Sequence, residues 1–246
     1  MKIILSPAKK MQVDRESGCA LTRPRYYKEA GQVLRWLQGL TQEQQQQLWL
    51  CNDALAQENH ERLAGATLKQ AVTPALLAYI GIQYQYMAPT VFEDGQLDYA
   101  QEQVRILSGF YGVLRPLDGV IPYRLEMQAK GAPEDCGNLY RFWGDKLYRA
   151  VRDKSGIILN LASKEYSKAV EKYLRPGDRF VTVVFAEKSG DRLVQKGVYA
   201  KMARGEMVRY LAGIQAQEPE AAKGFRWSGY QYREDLSKPE RIVFVR

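Results

Sequence analysis

The side chains best suited to chemistry stand in turns that follow apolar runs. Ser6, Lys9 and Lys10 come just past the run Lys2–Leu5, which Pro7 ends. Asn160, Ser163, Lys164, Glu165 and Tyr166 follow a second run, GIILN at 156–160. Arg124 and Glu126 stand two apart within 121–127, and Gly109, Gly112 and Arg115 come shortly before them. Lys201 and Arg204 lie in a long helical stretch near the C-terminus. Serine, lysine, arginine and asparagine at such turns suit the binding of an anion. In α/β proteins ligands sit past the C-terminal ends of strands. Ser163 can cap the helix after it, whose amide groups then face any anion at that end. Residues two apart share one face of a strand, so Arg124 can clamp a phosphate while Glu126 holds its guanidinium; a structural ion pair is the competing reading. Glu165 or Glu126 is the candidate for general acid–base work. No spacing specifies a reaction, and no residue is assigned as catalytic.

Gly109 and Gly112 form a Gly-x-x-Gly turn between apolar runs, which can offer bare amides to a phosphate. Tight turns use the same residues for packing, and that reading stands beside it. The chain has no P-loop, dinucleotide fingerprint, G-x-S-x-G elbow or H-E-x-x-H pair. Its one histidine, His60, and three scattered cysteines, Cys19, Cys51 and Cys136, supply no zinc site and point to a reducing compartment. No metal and no cofactor are expected. The start MKIILSPAKK is too short in apolar residues for a signal peptide, and no run approaches membrane-spanning length, so a cytoplasmic setting is expected.

The elements that must position these residues follow from periodicity. Residues 24–63 read as helical, with a capping box at Thr41–Gln44 and a cap at Asn52 or Asp53. The spacing predicts helices over 98–107, 138–153 and 198–214, and strands over 121–127, 156–160, 179–187 and 241–246, with 192–196 pairing as a hairpin across 188–191. On the last helix Lys201, Arg204 and Arg209 fall away from the apolar side and form a basic face. With 46% hydrophobic and 26% charged residues the chain is no disordered tail. Strands and helices mix in irregular order without a visible boundary, so one α/β or α+β domain over 1–246 is expected, with a mixed central sheet. The net charge is +8, and it is uneven: residues 1–150 carry 17 Lys/Arg against 16 Asp/Glu, and residues 151–246 carry 19 against 12. The partner implied is anionic, with nucleic acid and phosphorylated metabolites both open.

At these turns the chain resembles a known family. The blocks ILSPAK, LSGFYGVLRPLD, PYRLEM, FWGDKL, NLASKEY and YAKMARGEM occur in the order found in the YaaA family of bacterial peroxide-stress proteins. The resemblance runs from residue 3 to the C-terminus. Lys10 stands where the family pattern suggests threonine, and Gly119-Val120 replaces a bulkier pair. The resemblance implies a cytoplasmic protein that helps cells survive hydrogen peroxide, associated with limiting free iron and oxidative DNA damage. It also implies a positively charged cleft and sequence-independent DNA binding through a helix-hairpin-helix element, with no stable protein partner. The best match for that element is 101–116, with SGFYG as the hairpin, and the segment around Gly81 is the second choice. The alternative is an enzyme on a nucleotide or phosphorylated substrate, using Ser6, Lys9, Arg124, Asn160, Ser163 and Glu165 in one pocket. A closed pocket favours the enzyme, and an open basic groove favours DNA.

Overall fold

The computed structural model describes residues 1–190 and 192–246. Its frame is set by short apolar runs that cannot stay in water and pair side by side. In chain order the elements begin with β1 (Lys2–Leu5), β2 (Lys10–Met11), α1 (Tyr27–Gln38), α2 (Gln42–Trp49) and α3 (Asp53–Ala64). Then come β3 (Thr73–Pro74), α4 (Ala75–Ala78), β4 (Tyr79–Ile80), α5 (Ile82–Met87), α6 (Asp94–Gln103), β5 (Val104–Ser108), β6 (Gly112–Leu114) and β7 (Gly119–Val120). The chain continues with α7 (Leu139–Trp143), α8 (Lys146–Val151), β8 (Ile157–Asn160), α9 (Lys164–Glu171), β9 (Arg179–Ser189) and β10 (Arg192–Val194). It closes with α10 (Gly197–Gly213), β11 (Gln231–Tyr232) and β12 (Arg241–Val245).

The main sheet has eight strands in the order β11-β12-β9-β8-β1-β5-β6, with β10 on β9. The five inner strands β12, β9, β8, β1 and β5 are parallel, and β11, β6 and β10 pair antiparallel. This is the single α/β domain with a mixed sheet that the sequence predicts. Parallel strands are buried on both faces, and Ile3, Ile4 and Leu5 are fully buried accordingly. The next parallel strand in sequence, β5, lies on one side of β1, and the one after it, β8, lies on the other. Strand order therefore reverses between β1 and β8. In open parallel sheets the crevice beyond the strand ends at such a reversal is where ligands bind.

Several expectations need correction. The helix expected over 98–107 stops at Gln103, and Val104–Ser108 is a strand. Pairing with β1, through Ile3 beside Val104 and Leu5 beside Ile106, overrides the local helical reading. SGFYG therefore joins β5 to β6 as a β-hairpin, with Ser108 opposite Gly112; 101–116 is not a helix-hairpin-helix element. The strand expected over 121–127 does not form: residues 121–126 belong to no regular element and Met127 lies in a turn, although burial alternates between buried and half-buried along the run. The helix expected over 138–153 is two helices broken at Gly144, which sits at φ +51°. The helical reading of 24–63 holds as three helices, divided where the expected Thr41–Gln44 capping box and Asn52 cap stand. β9 and β10 pair as expected, although Asp191 of their connection lies outside the described residues.

One close crossing fixes α10. A Cβ on Gly205 would lie 2.1 Å from the Gln83 carbonyl oxygen and 2.8 Å from the Met87 nitrogen of α5. Two backbones meet there, and only a missing side chain permits it. Gly205→Ala is expected to cost about 1–3 kcal/mol by overpacking, read as a lower midpoint in urea unfolding. Gly197→Ala, where nothing lies within 4 Å, leaves the midpoint within error.

Candidate functional site

The ladder between β1 and β8 continues past both strand ends and builds the floor of a site. The Leu161 amide donates to the Ile4 carbonyl at 3.0 Å. Two residues on, the Ser163 amide donates to Ser6 Oγ at 2.8 Å, and the two hydroxyls lie 3.2 Å apart. Ser163 is the N-cap of α9, but its hydroxyl meets Ser6 and makes no cap bond. From the other side the Tyr84 hydroxyl donates to the Ser6 carbonyl at 2.9 Å.

Above this floor lies a cavity of about 520 Å³. That size suits a small molecule. Its walls come from four places: the turn after β1, the segment Ile80–Tyr84, the run 123–126, and α10 through Lys201 and Arg204. Glu165 and Tyr166 complete it from the first turn of α9. Five cations, Lys9, Lys10, Arg124, Lys201 and Arg204, thus face two carboxylates, Glu126 and Glu165. Lys9 Nζ is 2.7 Å from Glu126 Oε1, and Arg124 Nη2 is 4.0 Å from the same oxygen. Arg124 and Glu126 do face the same cavity, as their spacing predicts, although the strand expected to carry them is absent.

The cavity leaves polar groups unmet. Arg204 forms no ion pair among the described residues. Its Nε is buried without a hydrogen-bond partner, and so are Arg124 Nε and Gln83 Nε2. Burial pushes the Arg204 guanidinium below its usual range. A buried polar group without a partner costs roughly 1–3 kcal/mol, more if charged. Three such donors, from α5, the 123–126 run and α10, therefore belong to residues that line one cavity. Burial also pushes the Glu165 carboxyl up, against the amide of Gln128, which donates to its Oε1 at 3.3 Å. The Tyr123 phenol is pushed up to about 12, again by burial, and lies 2.7 Å from the Tyr79 hydroxyl and 2.6 Å from Ser108 Oγ. Among the described residues no group of acidic, histidine and cysteine side chains could hold a metal ion.

Of the residues singled out in the sequence, Ser6, Lys9, Lys10, Arg124, Glu126, Ser163, Glu165, Tyr166, Lys201 and Arg204 line this cavity. Five others do not. Asn160 is buried beneath it; its Oδ1 accepts from the Ala162 amide at 2.9 Å and its Nδ2 donates to Thr182. Lys164 points to Glu171 at the surface. Arg115 pairs with Asp118 at 3.4 Å elsewhere. Gly109 and Gly112 are buried, and their role is packing. A Cβ on Gly109 would meet the Leu125 carbonyl oxygen at 2.8 Å, and one on Gly112, at φ +72°, the Trp143 ring at 2.8 Å. The amides of the turn are taken, since Phe110 and Tyr111 both donate to Ser108 Oγ. Arg204 does not stand on a free basic face but half-buried against the cavity, because α10 is pulled close to α5. Gln83 was missed. Its one signal is a glutamine inside the apolar stretch ALLAYIGIQYQYM. Gly81, the second choice for a hairpin, sits between the short helices α4 and α5 and lines the cavity beside Ala8.

Fold and site together define an α/β protein with a cation-rich cavity at the reversal of strand order. The sequence pattern of the family described as peroxide stress protein YaaA matches residues 1–236, and the chain belongs to that family. Similar curated proteins carry the name UPF0246 protein. The one from Agathobacter rectalis is 53% identical over 246 residues, covering 100% of this chain and 99% of that protein. Those from Lachnoclostridium phytofermentans and Pediococcus pentosaceus are each 50% identical, covering 100% of this chain and 96% and 98% of their own lengths. The family is consistent with a role in peroxide stress. No helix among the described residues is long and apolar enough to cross a membrane.

The raised Glu165 carboxyl sets a pH dependence. The folded state holds this proton more tightly than the unfolded chain, whose glutamate titrates near 4.5. Its contribution to stability is therefore full below that pH and is lost as pH rises through the folded value. Glu165→Gln removes the loss. The melting temperature of the variant is expected to gain on the wild type as pH rises from 4.5, and a constant difference across pH would refute the assignment.

Proposed function

We propose that this peroxide-stress family member binds a small phosphorylated ligand, of nucleotide size, in the cavity over β1 and β8, and acts on it there. The observation that carries the reading is Arg204. A guanidinium half-buried without a carboxylate among the described residues is costly unless an anion from outside completes it. Arg124, Gln83 and Lys201 converge with it, and the volume fits a small molecule better than a duplex. Ser6 and Ser163 present hydroxyls at the floor. Glu165, held toward its protonated form, is the acid that can hand a proton to a leaving oxygen. Lys9 forms an ion pair with Glu126 beside it, so the two carboxyls stand in different surroundings and take different roles.

A second reading is sequence-independent DNA binding in the cytoplasm, with protection from oxidative damage and a link to limiting free iron. It is favoured by the excess of 19 Lys/Arg over 12 Asp/Glu in residues 151–246. It lacks its expected hairpin at 101–116, which is strand-turn-strand.

One competition separates the two. A nucleoside monophosphate is expected to bind the wild type, and Arg204→Gln to weaken it about tenfold or more, the loss of a charge-assisted hydrogen bond. Single-stranded, duplex and branched DNA should fail to displace it. Displacement by every DNA form alike, weakening steeply with salt and abolished by Lys201→Glu with Arg204→Glu, would install the DNA reading instead.

A further inference from the structure

We infer a second anion site, on the β5–β6 side of the sheet, built for a diphosphate group. A hollow of about 440 Å³ there is lined by Arg23, Arg25, Arg105 and Arg115, with Asp118 as its one carboxylate and Val113 and Ala150 as its apolar part. It shares no lining residue with the cavity over β1 and β8. Four guanidiniums in one hollow repel one another, and Asp118 does little to relieve them. Its Oδ2 accepts from the Arg115 amide at 2.8 Å and its Oδ1 from the Thr22 hydroxyl at 2.6 Å, so it closes the 115–118 turn first. The Arg115 side chain reaches it only at 3.4 Å.

The guanidiniums are also held in place before any ligand arrives. Arg105 rises from β5, and its Nη1 donates to the carbonyls of Gln101 and Val104 at 3.2 and 2.7 Å. Arg23 lies over the Tyr27 ring at 4.0 Å, and Arg25 over Tyr26 at 5.7 Å. Stacking fixes planar groups that would otherwise lose rotamer freedom on binding. Burial, then the Arg115 charge, lowers the Arg105 guanidinium to about 10, and Asp118 and Asp153 oppose this. Asp153 is occupied by the N-terminal amine at 3.6 Å and by Lys2 at 3.5 Å. Four positive charges against one carboxylate leave three to be met. A group of two joined phosphates carries about three negative charges near neutral pH, and each of its faces suits a forked guanidinium. A single carboxylate or chloride would leave most of the repulsion in place.

The test uses inorganic pyrophosphate and calorimetric titration into the Arg204→Gln protein, so that the first cavity does not dominate. Binding is expected there, and adding Arg23→Gln with Arg25→Gln should weaken it at least tenfold. Both side chains are exposed, so the fold should survive, checked by an unchanged melting temperature. Lys172→Gln with Lys223→Gln removes the same charge from exposed positions that line neither cavity and should leave the affinity within twofold. Equal weakening by the two double variants would reduce the site to net charge and overturn the inference. So would no pyrophosphate binding, or a duplex oligonucleotide bound in this hollow that pyrophosphate cannot displace.

Discussion

The constraint on which the rest depends is the parallel pairing of β1 with β8. β1 is inserted between strands that come much later in the chain, and its residues Ile3 to Leu5 have no exposure at all. Because the pairing runs on through Leu161 to Ile4 and Ser163 to Ser6, the two turns that follow the strands share one hydrogen-bonded platform. That platform brings residues more than 150 positions apart to a 2.8 Å contact. Nothing else in the site needs such precision. The 123–126 run, α5 and α10 can be regarded as walls leaned against it, and the Gly205 crossing decides how far in the last wall stands.

Six of the 19 Lys/Arg of residues 151–246 form ion pairs among the described residues: Arg152 with Asp178, Lys164 with Glu171, Arg179 with Glu220, Arg233 with Asp235, and Lys196 and Arg246 with Glu187. Exposed pairs of this kind contribute little to stability, but they flatten the surface potential. These pairs meet only part of the excess counted in the sequence. Part of what remains lies on the cavity, at Lys201 and Arg204.

Much of this was legible in the sequence. The α/β class, the strand β8 followed by Ser163 and a helix, the turn after β1, and the shared side of Arg124 and Glu126 follow from short-range patterns. What was illegible depends on long-range pairing. Val104 to Leu107 reads as the end of a helix until β1 lies beside it. Gly109 and Gly112 look like a phosphate-binding turn because a glycine placed for packing and one placed for a ligand are the same letter. The carbonyl of Leu125 and the ring of Trp143 decide between them. Periodicity put Arg204 on the outer side of its helix, since a 3.6-residue repeat gives a direction and not the distance to a neighbouring element.

Arg204 can be judged against the other arginines of the same chain. Where an arginine serves structure here, it has a visible partner: Arg152 reaches Asp178 at 2.7 Å, and Arg233 reaches Asp235 at 2.7 Å. A structural role for Arg204 would call for a carboxylate on α5 or on the 121–127 run. The acid nearest in sequence, Glu206, forms no ion pair among the described residues, and burial pushes its carboxyl up against the opposing charge of Arg209. Glu126, within the cavity, is already met by Lys9. An unpaired guanidinium could be avoided at that position by leucine or methionine, which would fill the same space against α5 without a desolvation cost. That cost is understandable if the missing partner is supplied by something that comes and goes, and the lining of the cavity is where such a partner would have to sit.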